Sequence, residues 1–155
     1  MKSKELEILD HGKKISEAEL IYLEELIGAK LPFDYREFML ENNGGRPSLT
    51  TFSIENFGED DGEVAWFYDI SSDDTNGIVD AWRDQLETGI NQHLPIAYSS
   101  FGDQISMNFS TENFGEIWWR DDRLSWGNRS NANAYTKIAN TFNDFLKMLK
   151  LSDVR

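Results

Sequence analysis

The hydrophobic positions of the first fifty residues follow a helical spacing. The first helix is predicted by three apolar residues at intervals of three and four: Leu20, Leu23 and Ile27. Ser16 and Glu19 match a capping box at its start, and Gly28 is a typical residue at its end. A second helix is predicted from Leu31-Pro32, because proline is tolerated in a first turn.

The second helix is predicted to place four residues on one face and to end sharply. Its face is formed by Tyr35, Phe38, Met39 and Asn42. Asn43-Gly44-Gly45 ends the helix, and Pro47 prevents it from restarting. The pattern then changes to β-branched and aromatic residues at Thr50–Ile54 and Val64–Ile70. These two segments predict strands around an acidic turn, Glu59-Asp60-Asp61-Gly62.

The second half of the chain predicts more strands between two helices. A helix is expected at about Asp74–Leu86, and a strand at Leu94–Ser99 has Pro95 near its start or at an edge. Gln104–Phe109 alternates polar and apolar residues, which predicts a strand with one buried face. Ile117–Arg120 is its returning partner, followed by a long loop over 121–134.

The last helix begins at Thr141, where Thr141 and Asp144 resemble a capping box with Asp in place of Glu. Its apolar face is formed by Phe142, Phe145, Leu146 and Leu149. This order of elements predicts an α+β fold: a single, mainly antiparallel sheet with helices packed around it. The length of 155 residues suits one domain over 1–155, with its core at about 16–150.

Four segments, in this order, resemble the SUKH superfamily, specifically its cell-wall-synthesis-regulator (Smi/Knr) branch. They are Leu31–Phe38 closed by Asn42–Gly45; Leu94–Ala97 with Phe101–Asp103; Ile105–Phe109 with Gly115–Trp119 and Asp121; and Thr141–Leu146. The insert 55–74 matches no part of the family pattern.

The resemblance implies an α+β fold and a binding role without catalysis. Bacterial members are implied to be cytoplasmic immunity proteins, which neutralise toxin domains delivered by neighbouring cells or made by the same cell. Fungal relatives are implied to be regulators that scaffold partners in cell-wall signalling. The expected partner is therefore a protein, most simply a cognate toxin domain.

Composition narrows the classes further. The chain has no cysteine, which excludes a disulfide scaffold, thiolate metal sites and a cysteine nucleophile. A formal charge of −13 argues against binding a nucleic acid backbone. No apolar run is long enough for a signal peptide or a transmembrane helix, so a cytoplasmic protein without a membrane partner is expected.

The negative charge is concentrated in the middle of the chain. Residues 48–95 carry eleven Asp/Glu and a single Lys/Arg, Arg83, for a net charge of −10. Such a region either keeps the protein soluble or attracts a basic partner. The candidate partner-binding residues are Glu59, Asp60, Asp61, Glu63, Asp73, Asp74 and Trp126.

Residues for catalysis or metal binding are few. His11 and His93 are both expected at the surface. An EF-hand loop with Gly77 at its sixth position would end at Arg83, where a glutamate ligand is required. No catalytic residue, cofactor or metal is therefore predicted. Among 28 Asp and Glu residues, some pair will lie at the separation that a glycoside hydrolase needs by chance alone. The abundance of acids is therefore not specific evidence for such a site.

The tryptophans have different expected roles. Trp118 and Trp119 are adjacent on a predicted strand, so one should enter the core. Trp66 and Trp82 fit core positions, whereas Trp126 is either packed or an exposed anchor. Gly102-Asp103 is expected to form a turn whose Asp bonds nearby backbone N–H groups.

The resemblance implies an immunity protein, and the charge pattern adds the hypothesis that its acidic face occludes the active site of a toxin. Two alternatives stay open: a regulatory scaffold, and, with less support, a carbohydrate-binding domain that uses Trp and paired acids.

Overall fold

The computed structural model describes residues 5–54, 58–70, 77–120 and 135–151, with 58–61 described by their backbone. This part of the chain contains four helices: α1 (Glu17–Ile27), α2 (Phe33–Asn42), α3 (Ile78–Glu87) and α4 (Phe142–Met148). Its nine strands are β1 (Ile8–Leu9), β2 (Arg46–Pro47), β3 (Thr51–Ile54), β4 (Gly58–Glu63), β5 (Trp66–Phe67), β6 (His93–Tyr98), β7 (Gln104–Asn108), β8 (Ile117–Arg120) and β9 (Tyr135–Ala139).

The strands form one main sheet and two ribbons. Strands β5 to β9 pair in chain order, each antiparallel to the next. Strands β1 and β2 form one antiparallel ribbon, and β3 and β4 form the other. The predicted α+β class with a mainly antiparallel sheet is confirmed, with the two ribbons added to it.

The helix ends follow from local chemistry. At the start of α1, a carboxylate oxygen of Glu19 accepts a hydrogen bond from the Ser16 backbone N–H, at 3.2 Å. Gly28 ends α1 in the left-handed region, at φ 78°. Helix α2 begins at Phe33, directly after Pro32. At α4, the Thr141 hydroxyl accepts from the Asp144 N–H at 3.0 Å.

The Asn-Gly-Gly turn after α2 joins three distant segments. Asn43 is fully buried, its side-chain amide donates to the Lys13 carbonyl at 2.8 Å, and its side-chain oxygen accepts from the Ile70 N–H at 2.9 Å. Gly44 has φ 77°, and a Cβ there would lie 2.6 Å from the Phe67 carbonyl oxygen. The turn therefore needs the side-chain amide of Asn43 for its hydrogen bonds and glycine at position 44 because a side chain would not fit there.

Aromatic rings from α2, α4 and β5 meet in the core. Phe38 contacts Phe67 and Phe142 edge to face, with ring centroids 5.1 and 4.9 Å apart. Tyr35 contacts Phe142 at 5.1 Å in the same geometry. These edge-to-face pairs add to the burial of large apolar surfaces, so the predicted faces of α2 and α4 are the ones that hold the core together.

Both faces of the main sheet are buried where β7 crosses it. Ile105 and Met107 occupy one face and are fully buried. Ser106 and Asn108 occupy the other, and they are 1% and 4% exposed. The prediction of a single buried face is therefore wrong. Helix α3 packs near the polar face, where Gln85 donates to the Tyr135 hydroxyl at 2.9 Å.

Three of the four described tryptophans confirm their predicted roles. Trp119 is 2% exposed and pairs with Ile105, whereas Trp118 pairs with Ser106 on the opposite face. Trp82 is buried and lies against Phe109, with ring centroids 5.6 Å apart. Trp66 is half-buried, so the core position predicted for it is wrong.

Several segments depart from the predicted elements. Strands β1 and β2 are not among them, and the strand predicted at Val64–Ile70 is the two-residue β5. The turn predicted at Glu59–Gly62 is wrong, because these residues lie within strand β4, which pairs antiparallel with β3. Strand β9 has no counterpart among the predicted elements. It completes the main sheet beside β8, with Trp118 opposite Lys137. The loop predicted over 121–134 lies outside the described residues.

Candidate partner-binding surface

Strand β4 is fastened to the core through its glycine. In the register of the ribbon, Glu63 lies opposite Thr51 and Gly62 opposite Phe52. A Cβ at Gly62 would overlap the Phe52 ring, so glycine allows the strand to lie directly on that ring. Phe52 in turn contacts Phe145 edge to face, at 5.2 Å. This contact places the Gly62 end of the acidic strand against the core.

The end of β4 is also tied to the β6–β7 hairpin. The Oε1 of Glu63 accepts two hydrogen bonds from Ser100. One comes from the backbone N–H, at 2.7 Å, and the other comes from the side-chain hydroxyl. Both donors belong to the tip of the hairpin. The acidic strand and the hairpin tip consequently form one continuous surface.

The tip itself is held by a serine. The Ser99 hydroxyl accepts from the N–H groups of Phe101 and Asp103, each at 3.1 Å. The Ser99 N–H donates to the Asp103 carbonyl at 2.9 Å. Gly102 takes φ 94°, which only glycine adopts without strain. A turn at Gly102-Asp103 is confirmed, but the prediction that its Asp binds the backbone N–H groups is wrong: the Ser99 hydroxyl accepts them and itself donates to the Asp103 carboxylate at 3.4 Å.

This turn exposes an aromatic side chain that is absent from the predicted site residues. Phe101 is 80% exposed, more than any other large hydrophobic residue in the described ranges. The available signal is a single Phe between Ser-Ser and Gly-Asp, because a turn of that composition has no interior in which to bury a ring.

The predicted site residues fall into two groups. Glu59, Asp60 and Asp61 lie on β4, and Glu63 ends it beside the hairpin tip. Three further candidates lie outside the described residues: Asp73, Asp74 and Trp126. The structure therefore brings the first four together along one strand.

His93 lies in a buried polar cluster, so its predicted surface position is wrong. Its Nδ1 is 2.9 Å from the Ser106 hydroxyl, and its Nε2 is 3.3 Å from the Asn108 amide nitrogen. The ring lies against Tyr135 and Trp118, with centroids 4.4 and 5.6 Å away. His11 is exposed, as predicted.

Burial lowers the pKa of His93 to about 4, which the negative charge of Glu116 opposes in part. The ring is therefore neutral at pH 7. Its contact with Ser106 has the spacing of a Ser–His pair, but Ser106 is 1% exposed and His93 is 8% exposed. A substrate cannot reach this pair, so the geometry supports a structural role.

A groove of about 760 Å³ between α2 and α4 is a separate, concave surface. Its lining includes the acidic residues Asp34, Glu37 and Glu41, the basic residue Lys14, and apolar residues such as Phe38. Asp34 is already engaged, since one of its carboxylate oxygens accepts from the Asn143 N–H at 3.0 Å.

Metal binding and membrane insertion find no support in the described part of the chain. Among its residues, no group of three or more His, Cys, Asp or Glu side chains is placed to hold a metal ion. The helices of the described ranges are all too short or too polar to cross a bilayer.

The fold and this surface define a class: a small α+β domain with a strand rich in acidic residues beside an exposed aromatic ring. The chain belongs to the SMI1 / KNR4 family (SUKH-1), whose model matches residues 14–148. A search of curated proteins found no match. SUKH proteins are commonly immunity proteins, typically bind toxin proteins and are generally non-catalytic.

Proposed function

We propose that this protein is an immunity protein that neutralises a toxin domain by covering its active site with an acidic surface. The observation that carries the proposal is the placement of Glu59, Asp60, Asp61 and Glu63 on one strand at the side of the core. Membership of a family in which immunity proteins are common supports the same role.

The mechanism follows from electrostatics and geometry. A concentrated negative surface attracts a basic active site over several ångströms and accelerates association. Once docked, the protein excludes the toxin's substrate by occupying the same space. If the toxin is a nuclease, the carboxylates of β4 take the positions of the phosphates. No reaction on this chain is needed for any of these steps.

Co-expression tests the proposal directly. The probe is the C-terminal domain encoded by the neighbouring large open reading frame, expressed with and without this protein. We expect cell survival to depend on this protein and the two proteins to co-purify. A toxic neighbour that kills equally in both cases, with no complex, would contradict the immunity role.

A regulatory scaffold is the second candidate, and the groove between α2 and α4 favours it. That groove is lined by residues of 14–41 and 143–146, a set that excludes β4, so a scaffold could use both surfaces at once. To distinguish the two functions, the complex is purified from the native cell and its mass is measured by light scattering. One bound partner supports the immunity role, and two different partners support the scaffold.

A further inference from the structure

The tip of the β6–β7 hairpin presents Phe101 beside the acidic strand. We propose that Phe101 is the apolar anchor of the partner-binding surface, and that it enters an apolar pocket rimmed by Lys and Arg on the partner. The inference rests on the proposed function only in taking β4 as the surface that faces the partner.

The exposure of the ring is the first argument. A phenylalanine ring that is 80% exposed leaves most of its apolar surface in water. Removing apolar surface from water is favourable in proportion to its area, so a binding partner gains more from this ring than from a polar neighbour. Aromatic residues are accordingly enriched at the centres of interfaces.

The rigidity of the turn is the second argument. The Ser99 hydroxyl holds the N–H groups on both sides of Gly102, and the Ser99 N–H closes the turn to the Asp103 carbonyl. The backbone that carries Phe101 is therefore ordered before a partner arrives. A preformed anchor loses less conformational entropy on binding than a mobile one.

The neighbouring charge specifies the partner's chemistry. Glu63 bonds the Ser100 N–H at 2.7 Å, so a carboxylate lies directly beside the residue that precedes Phe101. Asp103 follows two residues later, and the acids of β4 continue away from the tip. An apolar pocket with a basic rim complements this arrangement, whereas an acidic rim would be repelled.

Phe33 provides a matched control. It is 74% exposed, nearly as much as Phe101, but it lies at the start of α2. It differs from Phe101 in its place on the fold and hardly at all in size or accessibility. If any exposed aromatic ring binds partners nonspecifically, the two residues should crosslink equally. If Phe101 is a specific anchor, it should crosslink and Phe33 should not.

Site-specific photocrosslinking in the native cell tests the inference. The variants are Phe101→p-benzoylphenylalanine and Phe33→p-benzoylphenylalanine. We expect a discrete crosslinked product from position 101 alone, and mass spectrometry of that product to locate the crosslink in a partner peptide with Lys or Arg on both sides of an apolar segment. No product beyond the control, or a crosslink to an acidic peptide, would overturn the inference.

A binding measurement then gives the size of the effect. With the crosslinked partner purified, Phe101→Ala should weaken affinity about tenfold or more, and Phe33→Ala less than about twofold. Equal effects of the two substitutions would overturn the anchor. A crosslinked partner that is not a toxin would overturn the proposed function and leave the anchor supported, so the two failures are distinguishable.

Discussion

Arg36 of α2 forms an ion pair with Glu24 of α1, with its Nη1 2.8 Å from the Glu24 Oε2. The same Oε2 accepts a hydrogen bond from the Leu31 N–H at 2.7 Å. Because the Glu24 side chain is only 8% exposed, it needs both partners to offset the loss of water. One carboxylate therefore fixes the α1–α2 turn and the start of the Leu-Pro segment.

Removing that carboxylate should destabilise the fold. Glu24→Ala removes the acceptor of the Leu31 N–H and one of the two ion pairs of Arg36 among the described residues, so that the pair with Glu17 is left. We expect the free energy of unfolding to fall by about 2–4 kcal/mol. Urea denaturation monitored by circular dichroism measures it. Glu25→Ala, at an exposed neighbour on α1, is the control and should change stability by less than about 0.5 kcal/mol. Equal losses in both variants would contradict this role of Glu24.

Substitutions at two glycines with nearly identical φ angles distinguish the cost of the left-handed conformation from the cost of steric overlap. Gly28 has φ 78°, and a Cβ added there would meet nothing within 4 Å, whereas a Cβ at Gly44, with φ 77°, would meet backbone oxygens at 2.6 Å. Gly28→Ala should cost about 1 kcal/mol, which is typical of a side chain held in the left-handed conformation. Gly44→Ala should cost several times more, or prevent folding. Similar melting temperatures would show that the turn can widen.

The buried His93 predicts a pH dependence of stability. Its pKa is about 4 in the folded protein and 6.5 in an unfolded chain, so the unfolded state binds more protons between these values. The stability that depends on neutral His93 is therefore complete above pH 6.5 and is lost as the pH falls toward 4. The loss is at most about 1.4 kcal/mol per pH unit.

NMR of the imidazole protons checks this prediction directly. The chain has two histidines, so the spectrum of His11→Gln identifies the resonance of His93. We expect that resonance to keep its neutral chemical shift down to about pH 5. A midpoint near 6.5 would show that water reaches the ring and that the cluster with Ser106 is open.

Charge reversal on β4 should slow the association with a basic partner. Glu63 is better retained, because its carboxylate holds the hairpin tip. Asp60→Lys with Asp61→Lys changes the net charge from −13 to −9. We expect the association rate to fall by about tenfold or more at low salt, and the difference from the unmodified protein to shrink at high salt. Stopped-flow fluorescence measures both.

Two further pairs carry the same change in net charge. Glu37→Lys with Glu41→Lys places it in the groove between α2 and α4, and Glu25→Lys with Glu87→Lys places it on exposed helix positions elsewhere. If all three pairs slow association equally, net charge and not the β4 surface is responsible. If the groove pair has the largest effect, the interface lies at the groove.

Local sequence patterns predict the helices well because their signals agree. In α2, apolar spacing, a proline at the start and Asn-Gly-Gly at the end all indicate the same element, and Tyr35, Phe38 and Met39 are buried as expected. The hairpin of β7 and β8 is also predictable, since alternation and a glycine turn coincide there.

The rest depends on contacts between distant residues. Glu59–Glu63 has the composition of a turn, yet pairing with β3 and the packing of Gly62 on Phe52 make it a strand. His93 has the sequence context of a turn residue, and only the neighbouring strands place Ser106 and Asn108 around it. The exposure of Phe101 likewise depends on the three-dimensional turn. The sequence therefore predicts the acidic residues of the candidate surface but not its exposed aromatic residue.

The acidic composition of β4 has a second consequence, for self-recognition. In the described ranges β4 pairs with β3 and with no second strand, so it is an edge strand of this ribbon. Such an edge is a template on which another copy could add a strand. Two copies meeting there would bring Glu59, Asp60 and Asp61 against the same residues, and like charges would drive them apart. The strand proposed to attract a basic partner is thereby protected from aggregating with itself.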